Sequence, residues 1–167
     1  MIVTVRGAKD RNLVKLLKDA ANFFADELLS QQLSKNITLK IEVKDMDDAG
    51  GYCDPQDDDY PHLPRNFIIE LARAKKKIHI FLALAHEMVH LKQFAKGEMK
   101  DRLYKRKSVK VWQGQYYPED ISYWDQPWEI EAYGLENSLV AKYLINRNLF
   151  KTLNQKPESW FANADEE

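Results

Sequence analysis

The stretch FLALAHEMVHLKQF, residues 81–94, places two histidines and a glutamate in an apolar segment. Polar groups on an apolar helix cost free energy unless partners satisfy them. His86, Glu87 and His90 form the pattern HExxH. Helical residues four apart share a face, so both imidazoles can reach one ion. Glu87 lies about 100° round the helix, where it can contact a water on that ion without ligating the ion itself. The stretch therefore predicts a helix that carries a metal site.

Zinc is the metal that the pattern predicts. It accepts imidazole nitrogen and lowers the pKa of its bound water to about 7. Glu87 would take a proton from that water and later deliver it to the leaving amine. The competing interpretation is a pair of satisfied core histidines with an incidental glutamate. The apolar flanks favour the metal, because a buried imidazole pair needs a partner.

A catalytic zinc also needs a third protein ligand and an open position. PWEIEAYG, residues 127–134, offers Glu129 and Glu131, which are two positions apart and so point in different directions from a regular helix. We favour Glu131, because Gly134 follows on the same face and would let this helix pack close to the HExxH helix. Glu129 remains the alternative. Either glutamate could instead be an acid that stabilises the first turn through the helix dipole.

The rest of the chain predicts a mixture of helices and strands in one domain, residues 1–167. Residues 45–66 contain glycines, prolines and acids and predict a loop with a short paired segment at 51–53. Asp125 is the expected N-cap of the last helix. Apolar periodicity predicts strands at 2–5, 37–43 and 67–72, a strand or tight hairpin at 109–117, and helices over 10–33, 78–96 and 125–150.

Composition excludes several classes of protein. A length of 167 residues suits one compact domain, and a net charge of −1 gives no global attraction to nucleic acid or membrane. Cys53 is the single cysteine, which excludes an internal disulfide and fits a reducing compartment. The N-terminus becomes charged too early for a signal peptide, and no apolar run approaches the roughly 20 residues of a membrane span. We expect a soluble, cytoplasmic protein.

The combined motifs carry a resemblance to a known family. HExxH followed by a glutamate directly before alanine on a later helix resembles the gluzincin metallopeptidases. With WQGQYY and YWDQPWEIEAYG around it, the pattern is similar to small SprT-like proteins, many of them phage-encoded, over about residues 66–140. Those proteins often use a third histidine, where this chain offers Glu131.

That resemblance implies an α+β, zincin-like metallopeptidase domain. Its parts would be a small twisted sheet, a long N-terminal helix, an HExxH active helix and a C-terminal helix that bears a ligand. His86, His90 and Glu131 would bind zinc, and Glu87 would be the general base. The implied activity is zinc-dependent hydrolysis of peptide bonds in a peptide or protein substrate, by an endopeptidase rather than an exopeptidase. Residues 67–72 would be an edge strand to which an extended peptide adds; a paired interior strand is the alternative.

Other residues are weaker candidates. Tyr116, Tyr117 and Tyr123 could each donate a hydrogen bond to a developing oxyanion, although tyrosines near such a motif usually pack. Cys53 could cap the zinc, although a buried structural thiol is the simpler interpretation. Lysine-rich clusters at 75–77 and 105–110 could contact phosphate, although solvated faces explain them equally.

Two alternative functions therefore stay open. One is a DNA-associated SprT-like protein in which the basic clusters contact nucleic acid. The other is a catalytically idle binding module that zinc stabilises.

Overall fold

Strands and helices occur in short runs along the computed structural model, which describes residues 1–47, 49–56, 63–104, 107–118 and 120–161. The architecture is mixed α+β, as the sequence predicts. The strands are β1 (Ile2–Arg6), β2 (Thr38–Lys44), β3 (Gly51–Pro55), β4 (Asn66–Ala72), β5 (Met99–Tyr104), β6 (Lys107–Trp112) and β7 (Gln115–Tyr117). The helices are α1 (Arg11–Leu28), α2 (Gln31–Lys35), α3 (Lys77–Lys96), α4 (Pro127–Asn146) and α5 (Glu158–Phe161), with a 3-10 turn at Tyr123–Asp125.

The first four strands form one sheet in the order β1-β2-β4-β3. β1, β2 and β4 run parallel, and β3 pairs antiparallel with β4 at the edge. Alternate residues of β2 and β4 are buried, so one face of each strand lies in the core. The expectation that residues 67–72 form the edge strand is wrong, because β4 lies between β2 and β3. The edge strands are β1 and β3, and β3 contains the short paired segment expected at residues 51–53.

Helices α1, α3 and α4 pack together around an aromatic centre. The Tyr143 ring lies 5.9 Å from that of Phe81 and 5.8 Å from that of Phe24, measured between centroids. All three residues are fully buried. The long N-terminal helix is shorter than the expected 10–33, because it ends at Leu28 and Ser30 caps a separate helix, α2. Aromatic packing of this kind fixes α3 against α4, the two helices that carry the candidate site.

The boundaries of α3 agree with the sequence. Gly97 adopts a left-handed conformation (φ 72°) that ends the helix, as expected for a glycine at this position. The expected cap of the last helix is different: α4 begins at Pro127, its N-cap is Gln126, and Asp125 belongs to the 3-10 turn before it.

A three-stranded antiparallel sheet, β5-β6-β7, follows α3. Gln113 (φ 47°) and Gly114 (φ 85°) form the turn between β6 and β7, which confirms the expected hairpin around Gly114. Within the described ranges, none of the helices combines the length and apolar character that crossing a membrane requires.

Candidate metal centre

Three side chains from two helices bring their ligating atoms to one point. His86 and His90 lie one turn apart on α3, are 9% and 8% exposed, and have Nε2 atoms 3.2 Å from each other. Glu129, in the first turn of α4, places Oε2 3.2 Å from Nε2 of His86 and Oε1 3.4 Å from Nε2 of His90. These atoms form a group that could hold a metal ion.

The outer nitrogen of each ring fixes its tautomer. Nδ1 of His86 lies 2.9 Å from Oε2 of Glu136, and an ionised carboxylate only accepts, so this Nδ1 carries the hydrogen. Nδ1 of His90 lies 2.8 Å from Oε1 of Gln93. The Gln93 amide nitrogen donates at 2.9 Å to the carbonyl of Trp128, which places the amide oxygen towards His90. In these tautomers each ring, once neutral, directs an Nε2 lone pair at the shared point.

The donor set fits zinc. Two lone pairs and a carboxylate facing one another in a buried site repel unless a cation lies between them. Zinc bonds of 2.0–2.1 Å in tetrahedral geometry require ligand atoms about 3.3–3.4 Å apart, close to the 3.2–3.4 Å seen here. Two imidazoles and one carboxylate, with room for a further ligand, are a usual set for catalytic zinc.

Electrostatics also favour positive charge at this point. Burial alone would lower the pKa of His86, but the carboxylates of Glu129 and Glu136 outweigh it and raise that pKa from 6.5 to about 9. Burial would raise the pKa of Glu129, but its contacts with the His86 and His90 rings hold that pKa well below its ordinary value. The carboxylate is therefore ionised and available to a cation.

The expectation that Glu131 faces the histidines is wrong. Its Oε1 accepts a hydrogen bond from Lys92 Nζ at 2.7 Å, and its Oε2 accepts one from Gln93 Nε2 at 2.9 Å. Gly134 does not mark a close helix contact either, because a Cβ added there would meet nothing within 4 Å. Glu129, the alternative, occupies the place expected of Glu131.

Packing of α4 explains this correction. Trp128 and Ala132 are 2% and 0% exposed, so they define the side of the helix that meets the core. That orientation turns the adjoining face, with Glu129, Tyr133 and Glu136, towards His86. The three residues lie at i, i+4 and i+7, a helical stripe visible in the sequence. Glu136 lies outside the motifs that predicted the site, and this stripe is the signal that could have identified it.

Glu87 occupies the place expected of a general base. It is 5% exposed and lines a cleft of about 260 Å³ together with His86, His90 and Glu129. Burial raises its pKa from 4.5 to about 7, although the histidines act against this rise. Its carboxylate is not among the three converging ligands. The glutamate therefore lies beside the candidate metal position rather than on it.

Tyr123 is the expected tyrosine that reaches the cleft. Its hydroxyl donates to Oε2 of Glu129 at 2.8 Å and lies 3.2 Å from the hydroxyl of Tyr133. Burial raises its pKa well above the ordinary value. Tyr117 instead donates to Gln115 at 3.2 Å and packs on Trp128. Tyr116 belongs to the hairpin and is 57% exposed. Neither of these two is among the described residues that line the cleft.

Cys53 lines the cleft from the edge strand but is not one of the three converging ligands. Burial, together with the charge of Glu87, raises the pKa of its thiol, which disfavours the thiolate that zinc would bind.

One lysine of each basic cluster pairs with an acid. Lys77 pairs with Asp10 at 2.8 Å, and Lys110 pairs with Asp101 at 2.9 Å. Residues 105 and 106, the first two of the second cluster, lie outside the described residues. The described pairs partly neutralise these lysines and lend the nucleic-acid alternative no support.

Comparison with protein-family models, with curated proteins and with solved structures found no match for this chain.

Proposed function

We propose that this protein is a zinc-dependent metallopeptidase in which His86, His90 and Glu129 hold the metal and Glu87 is the general base. One observation carries the proposal: two imidazole nitrogens and the carboxylate of Glu129 converge at 3.2–3.4 Å, and a buried glutamate lies beside them in an open cleft. A structural zinc site would be closed by a fourth protein ligand, whereas a catalytic site stays open.

The chemistry divides between the metal and the chain. A bound zinc acts as a Lewis acid that acidifies water and polarises a carbonyl. Glu87 accepts the proton of the attacking water and passes it to the nitrogen of the leaving amine, so the peptide C–N bond breaks without net proton change. Glu136 and Gln93 orient the imidazoles through their Nδ1 hydrogens. Tyr123 is the tyrosine best placed to donate a hydrogen bond to the carbonyl oxygen as it becomes negative.

The edge strand supports a peptide substrate. β3 pairs with β4 on one side only, so its other edge offers backbone groups to an extended peptide. Gly51, Tyr52 and Cys53 of this strand line the same cleft as Glu87 and His90. A peptide added along β3 would thus pass across the candidate metal position. An open edge accepts internal segments of a chain, which favours endopeptidase activity and agrees with the resemblance to zincin-like, SprT-like proteins.

Replacement of Glu87 by glutamine tests this function. The amide keeps the size of the side chain but cannot accept the proton, so cleavage of an unfolded protein should fall by about 10²–10⁴-fold. Zinc content should stay equal to that of the parent protein, because Glu87 is not a ligand. Cleavage is followed by mass spectrometry, in which internal cuts identify an endopeptidase.

Two results would contradict the proposal. A zinc-loaded parent protein that cleaves no unfolded substrate would favour the idle binding module. A Glu87→Gln variant with full activity would assign the base to another residue.

A further inference from the structure

Glu131, displaced from the ligand role, lies at the start of a hydrogen-bond chain that ends on a ligand. Its Oε2 accepts from Nε2 of Gln93 at 2.9 Å, and Oε1 of Gln93 faces Nδ1 of His90 at 2.8 Å. We propose that Glu131 is a positioning residue, which acts through the Gln93 amide to hold His90 in the tautomer whose Nε2 binds metal. This inference rests on the proposed zinc site.

The direction of each hydrogen bond in this series is fixed, because each partner of the Gln93 amide nitrogen can act only as an acceptor. The Gln93 amide nitrogen has two hydrogens, and it donates one to the carbonyl of Trp128 and the other to Glu131, at 2.9 Å each. Both partners accept only. A flipped amide would place its oxygen against two acceptors and its hydrogens against His90. The amide oxygen therefore stays towards His90, and Nδ1 of His90 must carry the hydrogen.

Lys92 in turn holds Glu131 as a hydrogen-bond acceptor. Its Nζ lies 2.7 Å from Oε1 of Glu131 and 2.7 Å from Oε2 of Glu98, and the residue is only 9% exposed. A buried ammonium requires acceptor oxygens, so one oxygen of Glu131 is committed to Lys92. The other oxygen serves Gln93.

The substitution Glu131→Gln would reverse the directions of these hydrogen bonds. Lys92 would hold the single amide oxygen of the new side chain, leaving its NH2 group against the NH2 group of Gln93. Relief at position 131 requires Gln93 to flip, which turns its oxygen to the new NH2 group at the cost of facing the Trp128 carbonyl, and directs its hydrogens at Nδ1 of His90. His90 would then carry its hydrogen on Nε2, where it would block the lone pair needed by a metal.

The test compares Glu131→Gln with Glu98→Gln, which removes the same charge beside Lys92; Glu98 meets Gln93 through its backbone N–H, which the substitution keeps. Two-bond nitrogen–proton NMR of the metal-free protein, at a pH where the His90 ring is neutral, reports the tautomer. Chelator competition reports zinc affinity. We expect Glu131→Gln to shift His90 towards the Nε2–H tautomer and to weaken zinc binding by about 10–100-fold. Glu98→Gln should keep the parental tautomer and stay within a few-fold in affinity.

A swapped pair separates positioning from a general structural role. In Gln93→Glu/Glu131→Gln, the new carboxylate accepts from both His90 and the new amide, whose oxygen still accepts from Lys92; one carboxylate oxygen also faces the Trp128 carbonyl, which lowers stability. This double variant should restore the Nδ1–H tautomer and bind zinc more tightly than Glu131→Gln. If Glu131→Gln does not fold, the comparison is made with Gln93→Glu alone, which leaves two carboxylates facing each other.

The outcomes distinguish this inference from the proposed function. Glu131→Gln with the parental tautomer and affinity would overturn the inference, as would a swapped pair no better than the single variants. A parent protein that binds no zinc would refute the metal site, and the tautomer comparison would still decide the role of Glu131.

Discussion

Gly51 offers a sharp test of how the edge strand positions Glu87. A Cβ added at Gly51 would lie 2.9 Å from Cγ of Glu87, 3.0 Å from its Oε1 and 3.0 Å from the carbonyl oxygen of Glu70. Carbon atoms in contact prefer about 3.5–4.0 Å, so the overlap with Glu87 is roughly 0.6–1 Å. The carbonyl belongs to the β3–β4 ladder and yields less easily than a side chain. Gly51→Ala should therefore displace Glu87.

The expected loss follows from that displacement. A misplacement of about 1 Å can cost on the order of 10²-fold in rate, and overpacking costs about 1–3 kcal/mol of folding stability. Zinc affinity should change little, because the close contacts of the added Cβ are with Glu87 and Glu70 and not with His86, His90 or Glu129. The assay is kcat/KM on zinc-loaded protein, with zinc content measured in parallel.

Gly50→Ala is the matched control. A Cβ there would meet only Cβ of Ala83, at an ordinary 3.8 Å, so activity should be retained. Parental activity in Gly51→Ala, or equal losses in the two variants, would refute the link between Gly51 and Glu87.

Two further predictions concern the tyrosine and the histidine of the site. Tyr123→Phe should lower kcat by about 10²-fold or more if its hydroxyl stabilises the oxyanion, whereas Tyr116→Phe should not; equal kcat values in the two variants would remove Tyr123 from the mechanism. His86 has a folded-state pKa of about 9 against an ordinary 6.5, so the folded metal-free protein binds the extra proton between these values. Proton binding at His86 therefore adds to the free energy of unfolding. This contribution is fully present below pH 6.5 and is lost as pH rises through 9. Thermal unfolding from pH 6 to 10 should show this fall without zinc and much less of it with zinc; a flat metal-free profile would contradict the coupling.

Local patterns predicted most of the elements that position the site. HExxH within an apolar run fixed the extent of α3 to within one residue at its start, because length, burial and a terminal glycine all act locally. The β6–β7 hairpin followed from Gly114 for the same reason. The break between α1 and α2 was not predicted. The helical spacing of apolar residues continues across Ser30, but the backbone there is extended rather than helical.

Long-range packing decided what local patterns could not. The choice between Glu129 and Glu131 depends on the rotation of α4, which Trp128 sets from within the core. Likewise, the sequence predicts that β4 is a strand, but the position of β4 between β2 and β3 depends on pairing between distant segments. The contacts that orient the histidines come from the same packing and were not predicted.

The central claim is that one zinc ion is held by Nε2 of His86, Nε2 of His90 and the carboxylate of Glu129. Metal analysis combined with X-ray absorption at the zinc edge tests it most directly, on the parent protein and on Glu129→Ala and Glu131→Ala. We expect about one zinc per chain, two imidazoles and oxygen ligands at about 2.0–2.1 Å, and a greater loss of zinc from Glu129→Ala than from Glu131→Ala. Sulfur at about 2.3 Å, which would place Cys53 on the metal, a greater loss from Glu131→Ala, or no bound zinc would contradict it.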